Sequence, residues 1–159
     1  MKSAEPMTAF RERHSSACIS GIGLGYPVSE AVKDEALVIA PVGGVLKAGR
    51  RTVTVDRTVA TARSIEFDAL VVGGGTTPTS DIKLVVLLQE AFRHRQAIAA
   101  WGDGGAVLKS ARISSRDPGV EVAEEVDKAF TANLAAALGL HRVWGRAAKV
   151  MSSAVPTAA

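Results

Sequence analysis

The segment Ile98-Ala-Ala-Trp-Gly-Asp-Gly-Gly-Ala-Val-Leu108 contains an apolar run, a glycine-rich turn and a second apolar run. The first run is typical of a buried strand and the second of a helix, so the turn is predicted to be a strand-to-helix elbow. Many α/β enzymes carry their nucleophile at such an elbow. Here Gly102, Asp103, Gly104 and Gly105 form the turn, without a Ser, Cys or Thr. The sequence therefore predicts an elbow that lacks an attacking group.

The composition is typical of one globular domain. The chain has 159 residues, of which 47% are apolar and 22% charged. A domain of this size buries roughly 68–70% of its unfolded surface, so it needs neither disulfides nor a structural metal. Cys18 is the single cysteine, no apolar run reaches membrane-span length, and the N-terminus lacks a signal-peptide core. We therefore expect a cytoplasmic protein without a membrane partner.

The net charge of +3 is unevenly distributed along the chain. Residues 1–127 carry 15 basic and 16 acidic side chains, whereas residues 128–159 carry four basic side chains and no acid. Four charges over 32 residues are too sparse for a polybasic cluster. The pattern predicts a solvated end that docks on an acidic surface, and it argues against nucleic-acid binding.

Hydrophobic periodicity predicts strands that alternate with helices, and therefore a mostly parallel sheet with helices on both faces. The predicted strands are Leu37–Val42, Phe67–Val72, Gln96–Trp101 and Val120–Val122, with a β-hairpin excursion over Val45–Val55. The predicted helices are Asp81–Arg95, capped by Thr79 or Ser80, Asp103–Ala111, and Glu124–Leu138, capped at its end by Gly139.

The N-terminal region shows no clean period. Residues 1–20 are predicted to be poorly ordered, with at most a helical turn over Ala9–Ser16. The run Gly21–Gly25 lacks the last glycine of a dinucleotide-binding fingerprint, because Tyr26 occupies that position. We therefore expect a flexible connector there, a single domain over residues 21–150, and a disordered tail over residues 151–159.

Few side chains are candidates for chemistry. Asp103 is predicted to cap the helix after the elbow; alternatively, its carboxylate faces the crevice at the strand ends. Cys18 and His14 lie in the least structured region, which favours an ordinary thiol over a nucleophile. His94 and His141 are distant from His14 and from each other in sequence, so neither a metal site nor a cofactor site is expected.

The segment near the C-terminus contains His141, Arg142, Trp144 and Arg146. His141 and Trp144 are three residues apart, a spacing that places them on one face of a helical turn. The favoured interpretation is that Trp144 packs on the domain and anchors the tail. The alternative is a partner interface formed by these four residues, since Trp and Arg are enriched at binding hot spots.

Four segments between Val42 and Val150 resemble the C-terminal domain of large-subunit (long-chain) haem catalases. They are Phe67-Asp-Ala-Leu-Val-Val-Gly-Gly-Gly75 with the following loop and helix, Ala97-Ile-Ala-Ala-Trp-Gly-Asp103, Gly119-Val-Glu-Val122, and His141-Arg-Val-Trp144. The resemblance implies a flavodoxin-like three-layer sandwich related to PfpI-type proteases and class I glutamine amidotransferases. In those enzymes a cysteine occupies the position that matches Gly102.

The resemblance also implies an accessory role beside a haem module that dismutates hydrogen peroxide. The partner would be that module or a second copy of the chain. The module's haem-binding residues have no counterpart here, since Tyr26 is the only tyrosine and the chain is too short to contain the module. The alternatives are an atypical PfpI-type amidohydrolase or deglycase, and a flavin or nucleotide binder at the strand ends.

One departure from the family pattern concerns the first βα unit. The family domain begins with a strand and a helix before the segment that matches Leu37–Val42. Residues 17–36 contain weak candidates for both, Cys18-Ile19 with Ile22 and Leu24 for the strand, and Ser29–Ala36 for the helix. We therefore expect this unit to be degenerate or lost, which would leave an unpaired sheet edge.

Overall fold

The computed structural model describes residues 7–11, 36–48, 51–74 and 82–146. In these ranges the strands are β1 (Met7–Arg11), β2 (Ala36–Ala40), β3 (Gly44–Ala48), β4 (Arg51–Val55), β5 (Arg57–Thr58), β6 (Phe67–Val72), β7 (Ala97–Trp101) and β8 (Val120–Ala123). The helices are α1 (Ile82–Arg93), α2 (Gly104–Ser110) and α3 (Lys128–Gly139), with a short 3-10 helix at Ser64–Glu66. None of the described helices combines the length and the hydrophobicity that a membrane span requires.

Six strands form one sheet in the order β5-β2-β1-β6-β7-β8, and β3 pairs with β4 in a separate hairpin. The pairs β6–β7, β7–β8 and β2–β5 are parallel. The predicted α/β class, the mostly parallel pairing and the hairpin excursion are confirmed.

Alternating side chains of the sheet point into two hydrophobic layers, one on each face. Leu70 and Ile98 point to the layer that contains α1 and α2, whereas Val71 and Ala99 point to the layer that contains Phe130 of α3. All residues of β6 and β7 are buried, as expected for parallel strands covered on both faces. The helices therefore lie on both faces of the sheet, as predicted.

The first strand differs from the prediction. Met7–Arg11 forms β1, which lies antiparallel between β2 and β6, so the predicted helical turn is wrong over residues 9–11. Because β1 pairs on both sides, the space between β2 and β6 is filled by an early segment of the chain. The candidate elements in residues 17–35, the glycine run Gly21–Gly25 and the caps Thr79 and Ser80 lie outside the described residues.

Helix α3 begins four residues later than predicted. Asp127 has an extended backbone, and its Oδ1 accepts a hydrogen bond of 2.7 Å from the Phe130 N–H. This is the geometry of an N-cap, and it places Glu124 and Glu125 before the helix. Gly139 is the last helical residue, so the predicted glycine C-cap is wrong.

Each helix is instead followed, two residues after its end, by a non-glycine residue in the left-handed conformation. These residues are Arg95, Arg112 and His141, with φ between 59° and 62°. At Arg112 the backbone forms a Schellman motif, since its N–H donates to Lys109 O and the Ile113 N–H donates to Leu108 O. A side chain at this position costs roughly 1 kcal/mol in conformational energy.

Arg112→Gly is therefore expected to raise the free energy of unfolding by about 0.5–1 kcal/mol, because glycine adopts this conformation without a steric penalty. Arg112→Ala is the control: it removes the same exposed side chain but keeps the strained backbone, so no gain is expected. Urea denaturation of the three proteins measures the difference. Equal stabilities of the Gly and Ala variants would contradict the argument.

Candidate functional site

The elbow has the backbone geometry predicted from its glycines. Gly102 follows β7 with φ of 56°, and its N–H donates to Ala123 O at the end of β8 over 2.9 Å. The chain then turns into α2 at Gly104. A side chain at residue 102 would thus stand at the carboxyl ends of β7 and β8, where α/β proteins bind their ligands.

The elbow has room for a side chain that the sequence does not supply. A Cβ atom built on Gly102 would lie 3.6 Å from Gly74 Cα and 3.8 Å from Glu124 O, which are ordinary van der Waals distances. Packing therefore does not require a glycine here. Residue 102 therefore contributes only backbone atoms to the elbow.

Asp103 occupies the N-cap position of α2 but makes no side-chain capping hydrogen bond. Its backbone is already helical, with φ of −71° and ψ of −6°, which differs from the extended conformation of a capping residue. A Cβ at Gly74 would lie 3.5 Å from Asp103 Oδ1, so the carboxylate stands beside the turn that follows β6. The capping role predicted for Asp103 is therefore wrong, and its carboxylate lies at the strand ends.

A groove of about 740 Å³ runs from the elbow along α2. Its charged lining residues are Asp103, Glu124, Lys109 and Arg112, two carboxylates and two cations. Because these charges balance, the groove has no electrostatic preference for an anionic or a cationic ligand. The described ranges contain no group of three or more His, Cys, Asp or Glu side chains that could hold a metal ion.

Residues 140–146, the closing segment, cover the end of the sheet opposite the elbow. The Arg142 guanidinium donates to Asp68 Oδ1 at the start of β6 over 3.2 Å, and the Val143 N–H donates to Arg95 O before β7 over 2.7 Å. Asp68 is 8% exposed and Val143 3% exposed. The closing segment therefore crosses the amino ends of the parallel strands.

Arg146 fastens this segment to the sheet. Its guanidinium donates to Pro118 O over 2.6 Å, to Gln96 O over 2.7 Å and to Gly119 O over 2.9 Å, and it stacks over the Phe92 ring at 4.6 Å. Arg146 is 1% exposed, and burial lowers its pKa to about 10, against the opposing effect of Asp117. The guanidinium is thus still charged at neutral pH.

Trp144 is not the anchor. It is 65% exposed, and the Arg95 guanidinium lies over its ring at 4.5 Å. His141 is exposed, its left-handed backbone excludes a helical turn, and its Nδ1 is 3.8 Å from Asp68 Oδ1. The predicted anchoring role belongs to Arg146 and Val143 instead. Of the four predicted interface residues, Arg146 is enclosed by its own chain, Arg142 is half-buried, and His141 and Trp144 are on the surface.

The sequence interpretation missed two buried polar residues of this edge. Asp68 stands inside an otherwise apolar strand, which is itself a signal, because a buried carboxylate requires a partner. Gln96 is fully buried, and its Nε2 donates to Ser64 O and Phe67 O over 2.5 and 2.6 Å. The sequence predicts Gln96 as the first residue of a strand, but no pattern in it indicates that the Gln96 amide bonds two distant backbone carbonyls.

Comparisons with known proteins identify relatives of this chain by sequence. The chain is 35% identical over 128 residues to a catalase HPII from Mycobacterium avium, in an alignment that covers 69% of this chain and 18% of that protein. It is 31% identical over 94 residues to catalase B from Emericella nidulans, covering 50% of this chain and 13% of that protein. The chain thus spans less than a fifth of the length of either relative. A model of the C-terminal domain found in long catalases matches residues 26–148. The chain therefore belongs to the family of C-terminal domains found in long catalases.

Proposed function

We propose that this chain is a non-catalytic accessory domain that stabilises a peroxide-decomposing catalase module by direct contact. The single observation that carries the proposal is the elbow, where Gly102 has the left-handed backbone of a nucleophile position but no side chain. Membership in a family of domains found in long catalases supports the association with a catalase module.

The surroundings of the elbow support the same conclusion. A nucleophile needs a base within hydrogen-bond reach, most often a histidine. His94 precedes β7 and His141 lies beside the start of β6, so the two histidines of the described ranges stand at the edge opposite the elbow. His94 Nδ1 is also hydrogen-bonded to Ser64 Oγ at 2.9 Å.

The described residues do not fit a haem. Haem iron is held by a proximal His, Cys, Tyr or Met. In these ranges His94 lines an open groove whose walls, Ile65 and Ile82, are mostly exposed, and His141 stands on a separate exposed turn, so neither faces an enclosed apolar pocket. Peroxide chemistry is therefore assigned to the module that the domain contacts.

The proposal is tested with a chimera. The 128-residue part of the Mycobacterium avium relative that matches this chain is replaced by this chain, and a truncated form that lacks the part is the reference. We expect the half-life of peroxide-decomposing activity at elevated temperature to be about tenfold longer for the chimera than for the truncated enzyme. Equal half-lives would refute the stabilising role.

Gly102→Cys addresses the enzymatic alternative, a PfpI-type amidohydrolase or deglycase. The thiol fits sterically, but it meets no histidine of the described ranges, so we expect no turnover of amide, glyoxal or glycated substrates. The cost in stability is about 1 kcal/mol, because cysteine must adopt the left-handed conformation. Ellman titration verifies that the new thiol is accessible. Turnover by the parent chain, lost on Asp103→Asn, would establish an enzyme instead.

A further inference from the structure

A second surface of the domain has the composition of a protein interface. A groove of about 930 Å³ lies between α1 and the loop that leads into β6. Ile82 and Val86 of α1 are 78% and 43% exposed on one wall, and Ile65 is 66% exposed on the other. The buried side chains of Val59 and Leu87 form the floor. An amphipathic helix is expected to carry polar residues on its outer face, so these aliphatic residues require an explanation.

The two walls are held at a fixed separation. His94, just after α1, bonds Ser64 Oγ in the 3-10 helix through its Nδ1 over 2.9 Å. Gln96 donates to Ser64 O from the same side, and its contact with Phe67 O ties the wall to β6. The groove is therefore formed before any partner arrives, which reduces the entropic cost of binding.

The charges around the groove indicate what it accepts. Among the lining residues that the structure describes, the basic side chains of Arg63, Lys83 and Arg93 outnumber the one carboxylate, that of Glu90. A second copy of the chain docking groove to groove about a two-fold axis would face the same excess of positive charge. The excess favours a partner with carboxylates.

The shape of the groove excludes two other occupants. A small molecule is normally enclosed over 70–90% of its surface, whereas the Ile65 and Ile82 side chains that form the walls are themselves mostly exposed. Single-stranded nucleic acid binds by stacking on aromatic rings, and no Phe, Tyr or Trp is among the lining residues that the structure describes. The remaining class of ligand for this groove is the surface of another protein.

We infer that the groove between α1 and the Ser64–Glu66 turn is the docking surface for the catalase module, which inserts aliphatic side chains flanked by Asp or Glu. This inference rests on the proposed function and specifies where the contact is made. The exposed aliphatic residues enter the contact core, and the cations of the rim pair with carboxylates around it, as in a standard interface with an apolar core and a polar rim.

The experiment compares the chimera with the free 159-residue chain. Hydrogen–deuterium exchange is expected to be about tenfold slower in the chimera over residues 59–66 and 82–94, with little change over residues 104–115 of the elbow groove. In the chimera, the double variant Ile65→Ser/Ile82→Ser is expected to shorten the half-life of thermal inactivation about threefold or more.

The matched control is Val42→Ser/Val45→Ser, which removes two exposed aliphatic side chains (74% and 60% exposed) that do not line the groove. This control should leave the half-life within about 1.5-fold of the parent chimera. Protection of a different face, with no effect of the groove variants, would overturn the inference while the accessory role stands. A chimera no more stable than the truncated enzyme would instead overturn the proposed function.

Discussion

Replacing Arg146 with methionine is expected to lower the free energy of unfolding by about 3 kcal/mol, a large part of the stability of a domain of this size. Methionine fills much of the same volume and keeps an apolar contact with Phe92, so the loss reports the guanidinium rather than a cavity. Urea denaturation followed by circular dichroism measures the effect.

The size of the effect follows from the acceptors that Arg146 satisfies. The Gly119 carbonyl also accepts from the Ile98 N–H, and the Phe92 carbonyl also accepts from the Arg95 N–H. For the carbonyls of Pro118 and Gln96, by contrast, the guanidinium supplies the short hydrogen bonds of 2.6 and 2.7 Å. A buried acceptor left without its donor costs about 1–3 kcal/mol. The Gln96 carbonyl is such a buried acceptor, and the Pro118 carbonyl is partly buried. Together with the lost charge-assisted bond to the Gly119 carbonyl, and offset by the relief of burying a charge, they give the expected loss of about 3 kcal/mol.

Two variants separate this explanation from a general effect of removing charge. Arg146→Lys keeps the charge but loses the planar arrangement of donors, and an intermediate loss of about 1–2 kcal/mol is expected. Arg116→Met removes an exposed arginine and should change stability by less than about 0.5 kcal/mol. Equal losses of stability for Arg146→Met and Arg116→Met would refute the stabilising role of the Arg146 hydrogen bonds.

The pH dependence of the Arg146→Met effect has a defined sign. Burial lowers the pKa of Arg146 to about 10 in the folded chain, below its value in the solvated unfolded chain, so both states hold the proton below pH 9. The difference between the parent and Arg146→Met should therefore be constant from about pH 6 to pH 9. Above pH 10 the unfolded chain binds the proton more tightly than the folded one. In that range the relative stability of the parent should rise with pH rather than fall.

The central part of the fold could be predicted from the sequence because its signals are local. Phe67–Val72 and Ala97–Trp101 are continuous apolar runs that end at glycines, and such runs are typical of strands buried on both faces. Strand β1 carries no comparable signal. Met7–Arg11 is a short mixed segment whose strand state depends on pairing with β2 and β6, more than 20 residues away. Pairing between distant segments cannot be inferred from periodicity within either one.

The candidate sites also contain features that the sequence predicts and features that depend on the assembled fold. The absence of a nucleophile at Gly102 is a property of the sequence, whereas the left-handed backbone of Gly102 is seen only in the structure. The choice of Trp144 as the anchor relied on residue type, since large aromatic side chains are usually well buried. Arg146 takes that role because four backbone carbonyls from three separate segments converge on one point, an arrangement that only the assembled fold creates.

A pair of adjacent glycines at the start of α2 is expected to respond in opposite ways to the same substitution. A Cβ on Gly104 would stand 2.6 Å from Val72 O and 3.0 Å from Gly73 O. A Cβ on Gly105 would meet a side-chain methyl, Val122 Cγ1, at 3.2 Å. Both residues are helical, so alanine has the same intrinsic advantage of about 1 kcal/mol at either position.

Gly104→Ala is therefore expected to destabilise the protein by about 3 kcal/mol, because the β6 backbone cannot move away without breaking its pairing with β7. Gly105→Ala should change stability by less than about 1 kcal/mol, because Val122 lies on the edge strand, is 37% exposed and can rotate. Thermal unfolding of the two variants measures the contrast. The absence of a side chain at Gly104 lets the start of α2 pack directly against the end of β6. Equal melting temperatures of the two variants would show that this contact is looser than the distances imply.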